Sequence, residues 1–234
     1  MKEVRDLVKM GIDQKDRVLV FMPHPDDEAV FVSGLLKKLT RAKIAVKVVI
    51  MTRGEASTLR HGLKEGEDLA EARDKEMEKS LRILGVKEYS LLDIGDGKLK
   101  NKIREMVKEI GKQINEFKPT ALVTLEPDGI YGHPDHIALS LAVTRSIKKL
   151  LRLLYATIPD YKVKPRASSM AEKVEINPLL PHFVLKLGVI ERLAKLRVLM
   201  AHKTQFNMTN KSANDSNFFK INKMLDFEYY VYKI

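Results

Sequence analysis

Two short turns of nearly the same sequence constrain this chain more than any other feature. The first is His-Pro-Asp-Asp-Glu at 24–28, and the second is His-Pro-Asp-His at 133–136. Each comes after an apolar run typical of a buried strand and before a stretch with helical spacing. Proline directly after histidine suits the first helical position, where its missing N–H is no loss. We therefore expect both turns where parallel strands end and helices begin, which is where open α/β sheets bind ligands.

Strands and helices alternate through the first two thirds of the chain. This alternation predicts one domain over 1–234 with a Rossmann-like, doubly wound, mostly parallel sheet and helices on both faces. Predicted strands lie at 16–22, 44–51, 89–94, 120–125, 151–158 and 183–187, predicted helices at 27–41, 67–84, 100–117, about 133–149 and 189–202, and predicted surface segments at 160–178 and 204–219. In the usual strand order, 16–22 and 120–125 are neighbours, so the two turns should meet in space.

Composition limits the kinds of site and partner. There is no cysteine, so a transition-metal site must use carboxylates and some of the six histidines. The net charge is +11, but the lysines are scattered, which favours a solvated surface over a nucleic-acid partner. The mixed-charge start of the chain lacks the apolar core of a secretory signal, and no apolar run is long enough to span a bilayer. We expect a cytoplasmic protein with no transmembrane segment.

The first turn contains no glycine. A dinucleotide-binding fold needs glycines there so that the backbone can approach a pyrophosphate, and a nicotinamide or flavin cofactor is therefore not expected. A metal fits better, because His24 and Asp27 are three residues apart across a turn and His133 and His136 share one helical face. A catalytic zinc site with three protein ligands would take His24, Asp27 and one of the second pair. Asp26 would then accept a proton from water, and the remaining histidine would act on the reacting group.

At this point the sequence resembles the PIG-L/LmbE-like de-N-acetylases, zinc hydrolases that remove acetyl groups from N-acetylglucosamine-type sugars. The family turns (A/P)-H-P-D-D-E and H-P-D-H are both complete, and the resemblance covers about 17–206. Weaker matches are a T-x-G-E segment at 52–55, an R-x-x-E helix at 73–76, a D-G turn at 96–97 and a late K-x(6)-H-x-(S/T)-Q pattern at 195–205. One departure is Phe-Val-Ser-Gly at 31–34, where the family often has a glycine-rich segment.

The resemblance implies how the two turns divide the chemistry. His24, Asp27 and His136 would bind one zinc ion, for which iron(II) or another divalent metal could substitute. Asp26 would be the general base, and His133 would polarise the carbonyl, stabilise the oxyanion and protonate the amine. The substrate would be an N-acetylated amino sugar or glycoconjugate, and the enzyme could be a homo-oligomer.

Five further residues take roles from the resemblance alone. Asp135 would orient a histidine from outside the ligand set. Glu55, Arg73, Asp96 and Tyr131 would contact the substrate. The alternatives that involve no function are that Arg73 belongs to an ordinary helical ion pair and that the late pattern is a solvated helix end.

Two other functions stay open on the sequence. One is a metal-dependent phosphoesterase, although such sites use two metals and more carboxylates. The other is a non-catalytic basic protein that binds nucleic acid or a membrane surface, for which the basic helix at 189–203 is the candidate contact. Packing of that helix against the sheet is the expected arrangement, and histidines 61, 182 and 202 are expected to be surface or packing residues.

Overall fold

A computed structural model describes residues 1–147, 151–158, 177–206 and 225–233. The end of the helix predicted to 149, most of the 160–178 segment and most of the 204–219 segment lie outside the described residues. The strands are β1 (Lys2–Val4), β2 (Arg17–Met22), β3 (Ala45–Ile50), β4 (Glu88–Leu91), β5 (Ala121–Leu125), β6 (Arg152–Thr157), β7 (Phe183–Lys186) and β8 (Phe227–Tyr232). The helices are α1 (Asp27–Phe31), α2 (Ser33–Arg41), α3 (Leu69–Leu84), α4 (Ile103–Phe117), α5 (Gly129–Gly132), α6 (Pro134–Ser146) and α7 (Val189–Ala201).

All eight strands form one sheet in the order β1-β7-β8-β6-β5-β2-β3-β4. The five strands from β4 to β6 run parallel in the doubly wound order, and β8 is antiparallel to both of its neighbours. Strand β2 pairs with β5, with Val20 opposite Val123, so the predicted neighbours are neighbours. The predicted fold class is confirmed, and the two turns leave the sheet side by side.

Helices cover both faces of the sheet because the central strands are apolar on both sides. In β2, Val18 and Val20 pack into the core under α1, α2, α3 and α7, whereas Leu19 and Phe21 pack into the core under α4 and α6. Such continuous apolar strands are typical of parallel sheets. No helix in the described part of the chain has both the length and the apolarity needed to cross a bilayer.

The single helix predicted over 27–41 is wrong. The structure has two helices, α1 and α2, that meet at Val32, whose φ and ψ are −136° and 8°. The carboxylate of Glu228 accepts the backbone N–H groups of Gly34 and Leu35 at 2.7 and 2.8 Å. A buried carboxylate at this position satisfies donors that a new helix leaves free, and so it stabilises the restart. Glu228 is almost two hundred residues away in sequence, and no local pattern could indicate it.

Two strands, β1 and β8, were not predicted. Strand β1 has only three residues, too few for a periodic pattern. Strand β8 has the sequence Phe-Glu-Tyr-Tyr-Val-Tyr, in which apolar and polar residues do not alternate cleanly. Its aromatic enrichment is the signal that could have found it. The strand predicted at 89–94 is also displaced, since β4 ends at Leu91.

Lys195 does not belong to a solvated helix end, which was the alternative interpretation of the late pattern. Lys195 is 1% exposed, and its ammonium donates to Glu228 at 2.9 Å. Helix α7 lies beside α2 and α3, with Ala194 and Val198 in the core.

We expect Lys195→Met to lower the free energy of unfolding by about 3–5 kcal/mol, because it leaves the buried Glu228 without its cation. Urea denaturation measures the change. The matched control is Lys186→Met, which removes a pair with Glu3 whose side chains are 38% and 52% exposed. That change should cost about 0–1 kcal/mol. Equal costs for the two variants would show that the buried pair contributes nothing special.

Candidate active site

A cavity of about 750 Å³ opens at the C-terminal ends of β2 and β5. Both His-Pro-Asp turns line it, as the topology predicts for ligand sites in open α/β sheets. The loop after β3 contributes 56–59, and the segment after α7 contributes Gln205 and Phe206. The site is therefore assembled from six separate parts of the chain: 24–31, 56–59, 73, 96–100, 131–135 and 205–206.

Three predicted ligands converge beside this cavity. The Oδ2 atom of Asp27 lies 3.1 Å from Nδ1 of His24 and 3.4 Å from Nε2 of His136. All three residues are buried, and one ligand atom from each lies within 4.8 Å of the others. The backbone N–H of His24 also donates to Oδ2 of Asp27 at 3.1 Å, which closes the turn and fixes the carboxylate.

The chemistry of these three side chains fits a divalent cation. His136 is 1% exposed, yet neither ring nitrogen has a hydrogen-bond partner among the described residues. Buried polar atoms are normally paired, so a buried ring with two unpaired nitrogens indicates that a ligand binds there. Burial lowers the pKa of His136 to about 3, which leaves the ring neutral with a lone pair to offer. Burial raises the pKa of Asp27, but the His136 and His24 rings outweigh this effect and keep it ionised.

A second group, His24, Asp96 and Asp135, also has the composition of a metal site. It shares His24 with the first, and a neutral imidazole binds a metal through only one nitrogen. Its carboxylates are already engaged, since Asp135 accepts the N–H groups of Gly97 and Leu99 at 2.7 and 3.1 Å. Asp135 and Asp96 instead face Nε2 of His24 at 3.4 and 3.1 Å. Both carboxylates are therefore placed to accept the Nε2–H of His24 and to fix the orientation of its ring, with Nδ1 left to face Asp27.

Asp26 faces the cavity in an unusual backbone conformation. Its φ is 116°, in a region that costs a non-glycine residue about 1–3 kcal/mol. Its side chain is 20% exposed, and Oδ1 lies 3.3 Å from Nη2 of Arg73. Burial raises the pKa of Asp26 to about 7, against the opposing effect of the Arg73 charge. A carboxylate with a pKa near neutrality suits general-base catalysis.

His133 caps helix α6 with its side chain. Its Nδ1 accepts the backbone N–H of Asp135 at 3.2 Å, which leaves the proton of the neutral ring on Nε2. Burial and the neighbouring His24 lower the pKa of His133, which favours the neutral ring. The His133 ring centroid lies 4.6 Å from that of His136 and 5.0 Å from that of His24. An N–H donor is thus available beside the three candidate ligands.

Known proteins similar to this chain identify its family. The family model described as PIG-L, GlcNAc-PI de-N-acetylase, matches residues 19–147, more than half of the chain. The chain belongs to the PIG-L family. A probable N-acetyl-alpha-D-glucosaminyl L-malate deacetylase 2 of Bacillus anthracis is 32% identical over 197 residues, which cover 81% of each protein.

Two other PIG-L-type deacetylases are similar to this chain. The diacetylchitobiose deacetylase of Thermococcus kodakarensis is 40% identical over 121 residues, 51% of this chain and 45% of that protein. The N,N'-diacetylchitobiose deacetylase of Pyrococcus horikoshii, solved with an inhibitor, superposes with a TM-score of 0.65 at 23% identity, covering 96% of this chain and 88% of that one. The latter supports the fold alone. Family membership makes this chain an N-deacetylase, in place of the phosphoesterase and non-catalytic alternatives.

The four predicted substrate contacts of this PIG-L protein differ in position. Asp96 and Tyr131 line the cavity, and the Tyr131 ring centroid is 5.3 Å from that of His136. Glu55 is not among the described lining residues, and its Oε1 accepts the backbone N–H of Asp96 at 2.8 Å. Arg73 lines the cavity but is only 3% exposed. A substrate-contacting role for all four stays a prediction.

Arg73 holds the backbone of the first turn in place. It donates to the carbonyl oxygen of Gly54 at 2.8 Å and also to that of Pro25. A Cβ on Gly54 would lie 2.3 Å from Cζ of Arg73, and its φ is 71°, so only glycine allows this approach. The glycine of the T-x-G-E segment thus holds the arginine of the R-x-x-E helix under Asp26. Arg73 is therefore not simply part of an ordinary helical ion pair, which was the alternative interpretation.

The sequence did not predict how the late pattern reaches the site. Gln205 accepts the hydroxyl of Ser57 at 2.9 Å and donates to the carbonyl oxygen of Leu59 at 3.3 Å. Thr204 donates its N–H and its hydroxyl to Glu76 at 2.9 and 2.7 Å. Gln205 thus fastens the segment after α7 to the loop after β3, which forms one wall of the cavity, and Thr204 fastens the same segment to α3.

Proposed function

We propose that this chain is a zinc-dependent hydrolase that removes the acetyl group from an N-acetylglucosamine-type conjugate. The observation that carries the proposal is the convergence of His24, Asp27 and His136 on one point, with Asp26 and His133 beside them on the cavity wall. Two nitrogen donors and one carboxylate are a ligand set of catalytic zinc sites, which keep a further position open. The same donors also accept iron(II), so the metal itself has to be measured.

His24, Asp27 and His136 would hold the ion, with Asp96 and Asp135 orienting His24. When bound, zinc would act as a Lewis acid that polarises the acetamide carbonyl and makes water more acidic. Asp27 is ionised and His136 is neutral, as binding requires. Burial lowers the pKa of His24, but its hydrogen bonds with Asp135, Asp27 and Asp96 raise it well above the ordinary value, so a bound cation would have to displace a proton from this ring.

The proton transfers belong to the residues beside the ligands. Asp26 would accept a proton from the water that attacks the acetamide carbon. The Nε2–H of His133 would donate a hydrogen bond to the carbonyl oxygen as negative charge develops there. The C–N bond then breaks, and Asp26 passes the proton that it took from water to the leaving nitrogen. The products are acetate and the free amino sugar.

Two observations support an amino-sugar conjugate as the substrate. Similar PIG-L proteins are named for N-acetyl-alpha-D-glucosaminyl L-malate and for diacetylchitobiose. The cavity of about 750 Å³ lies within the range of about 300–1,000 Å³ that small-molecule sites span. It has room for a sugar together with the group attached to it. The outer wall comes from loops, which is where members of one fold differ in specificity.

We expect the purified protein to release acetate from at least one of three N-acetyl compounds. The panel is free N-acetylglucosamine, N-acetylglucosaminyl malate and N,N'-diacetylchitobiose, with acetate measured by proton NMR. The metal-stripped protein should be inactive and should recover after one equivalent of zinc is added.

The control is N-acetylglycine, an acetamide without a sugar. Acetate from N-acetylglycine at the same rate would argue against an amino-sugar substrate. If the zinc-loaded protein releases no acetate from any of the three sugars, the proposed substrate class is wrong. The cytoplasmic location and the homo-oligomer expected from the sequence stay predictions.

A further inference from the structure

A buried cluster next to the site contains three side chains that the proposed chemistry does not use. Glu28, Ser80 and His202 are each 0% exposed. The Oε1 atom of Glu28 accepts the hydroxyl of Ser80 at 2.7 Å and lies 2.7 Å from Nε2 of His202. The three come from α1, from α3 and from the residue that follows α7. Charged groups buried this deeply are retained only when they are well paired.

The other oxygen of Glu28 connects the cluster to the site. Its Oε2 accepts the backbone N–H of Asp26 at 2.9 Å. The carbonyl oxygen of Asp26 is also engaged, because the N–H groups of Ala29 and Val30 donate to it at 3.0 and 3.1 Å. The peptide group before Asp26 is held as well, since Arg73 donates to the carbonyl oxygen of Pro25. Backbone contacts therefore fix Asp26 on both sides.

Asp26 needs this restraint because its φ of 116° is a value that side chains disfavour. The φ angle sets the direction in which the side chain leaves the backbone. Asp26 and Asp27 are adjacent, yet Asp27 faces His24 and His136 while Asp26 faces the cavity and Arg73. A return of Asp26 to negative φ would redirect its carboxylate away from the place where the attacking water must lie.

We propose that His202 is a positioning residue for the general base, acting through Glu28 on the backbone N–H of Asp26. His202 fixes one carboxylate oxygen of Glu28, so the other oxygen is aimed at that N–H. The proposal rests on the proposed function, in which Asp26 takes the proton. It gives a role to the side chain of the histidine in the late pattern, which is not one of the candidate ligands and does not line the described cavity.

A matched control lies on α7, the helix that ends directly before His202. Lys195 and Glu228 form a second fully buried ion pair, but the carboxylate of Glu228 holds the backbone of Gly34 and Leu35. Loss of either pair should destabilise the protein. Only loss of His202 should change the geometry of Asp26.

The experiment compares His202→Leu, His202→Gln and Lys195→Met in the whole 234-residue chain, loaded with zinc. In His202→Leu we expect kcat for acetate release to fall about 100-fold, as a misplaced catalytic group does, with KM and the zinc content near those of the wild type. His202→Gln keeps an N–H donor that reaches Glu28 and should recover most of kcat. Lys195→Met should lower Tm but keep the wild-type kcat.

A second measurement does not use turnover. Hydrogen exchange of the Asp26 amide, followed by NMR, should be faster in His202→Leu than in the wild type and unchanged in Lys195→Met. If His202→Leu does not fold, His202→Asn takes its place, because its shorter side chain cannot reach Glu28. The expected result is then a low kcat for Asn and a recovered kcat for Gln.

Three results would overturn the proposal. In the first, His202→Leu keeps the wild-type kcat or the wild-type exchange at Asp26. In the second, KM rises by the factor by which kcat falls, so that substrate binding is lost. In the third, the variant loses its zinc. A wild-type protein that releases no acetate would instead refute the proposed function, and exchange at Asp26 would still decide the positioning role.

Discussion

His136→Ala is expected to lose the metal and to reduce acetate release to background. His136 is almost completely buried, and both of its ring nitrogens lack hydrogen-bond partners in the described structure. Its Nε2 lies 3.4 Å from the Asp27 oxygen that also faces Nδ1 of His24, so its ring completes the group of three candidate ligands. Removing one of three ligands leaves two, fewer than catalytic zinc sites in proteins use. Metal content by mass spectrometry and acetate release by NMR measure the two losses.

The matched control for His136→Ala is His133→Ala. The two residues are three apart at the start of α6, and their ring centroids are 4.6 Å apart. Because the role proposed for His133 is to donate to the developing oxyanion and not to hold the ion, its alanine variant should keep one metal per chain and lose kcat. The wild-type measurement also identifies the metal as zinc or iron. If His136→Ala keeps one tightly bound ion, or His133→Ala loses it, the two histidines have been assigned the wrong roles.

The sequence could predict where these residues meet because the decisive signals are local. An apolar strand, a His-Pro-Asp turn and a helix occur twice, and the rule for strand order makes the two strands neighbours. The pairing of β2 with β5 then brings His24 and His136 to ring centroids 5.3 Å apart, although they are more than a hundred residues apart in sequence. A short motif on a regular fold is enough to bring candidate ligands together, since backbone topology does most of the positioning.

The buried side chains that hold the backbone around the site could not be predicted in the same way. Glu28 is the last residue of the first turn and could equally be a solvated helix residue. Its partner His202 lies at the end of α7, and the pairing depends on how that helix packs beside α3. The same holds for Glu228, which interrupts the predicted helix at Val32 from the far end of the chain. Single side chains from distant elements decide such details, and one sequence contains no periodic signal for them.

Asp26→Asn is expected to keep the metal and to lower kcat by about 10²–10⁴-fold, the usual effect of removing a general base. Asparagine preserves the size of the side chain, and its backbone N–H can still donate to Glu28 as that of Asp26 does at 2.9 Å. It cannot accept a proton at neutral pH. KM should change little, because proton transfer contributes in the transition state rather than in substrate binding. Single-turnover rates at saturating substrate, normalised to bound metal, measure the loss.

The control is Asp27→Asn, the same chemical change one residue along the chain. Asp27 Oδ2 faces His24 and His136, whereas Asp26 Oδ1 faces Arg73. The two asparagine variants should therefore lose activity for different reasons. Asp27→Asn should lose the metal, and added zinc should restore part of its activity. Asp26→Asn should bind zinc normally and gain nothing from an excess. If Asp26→Asn turned over at close to the wild-type rate, another group would have to accept the proton. The strained backbone of Asp26 and the buried cluster that holds it would then need a purpose other than catalysis.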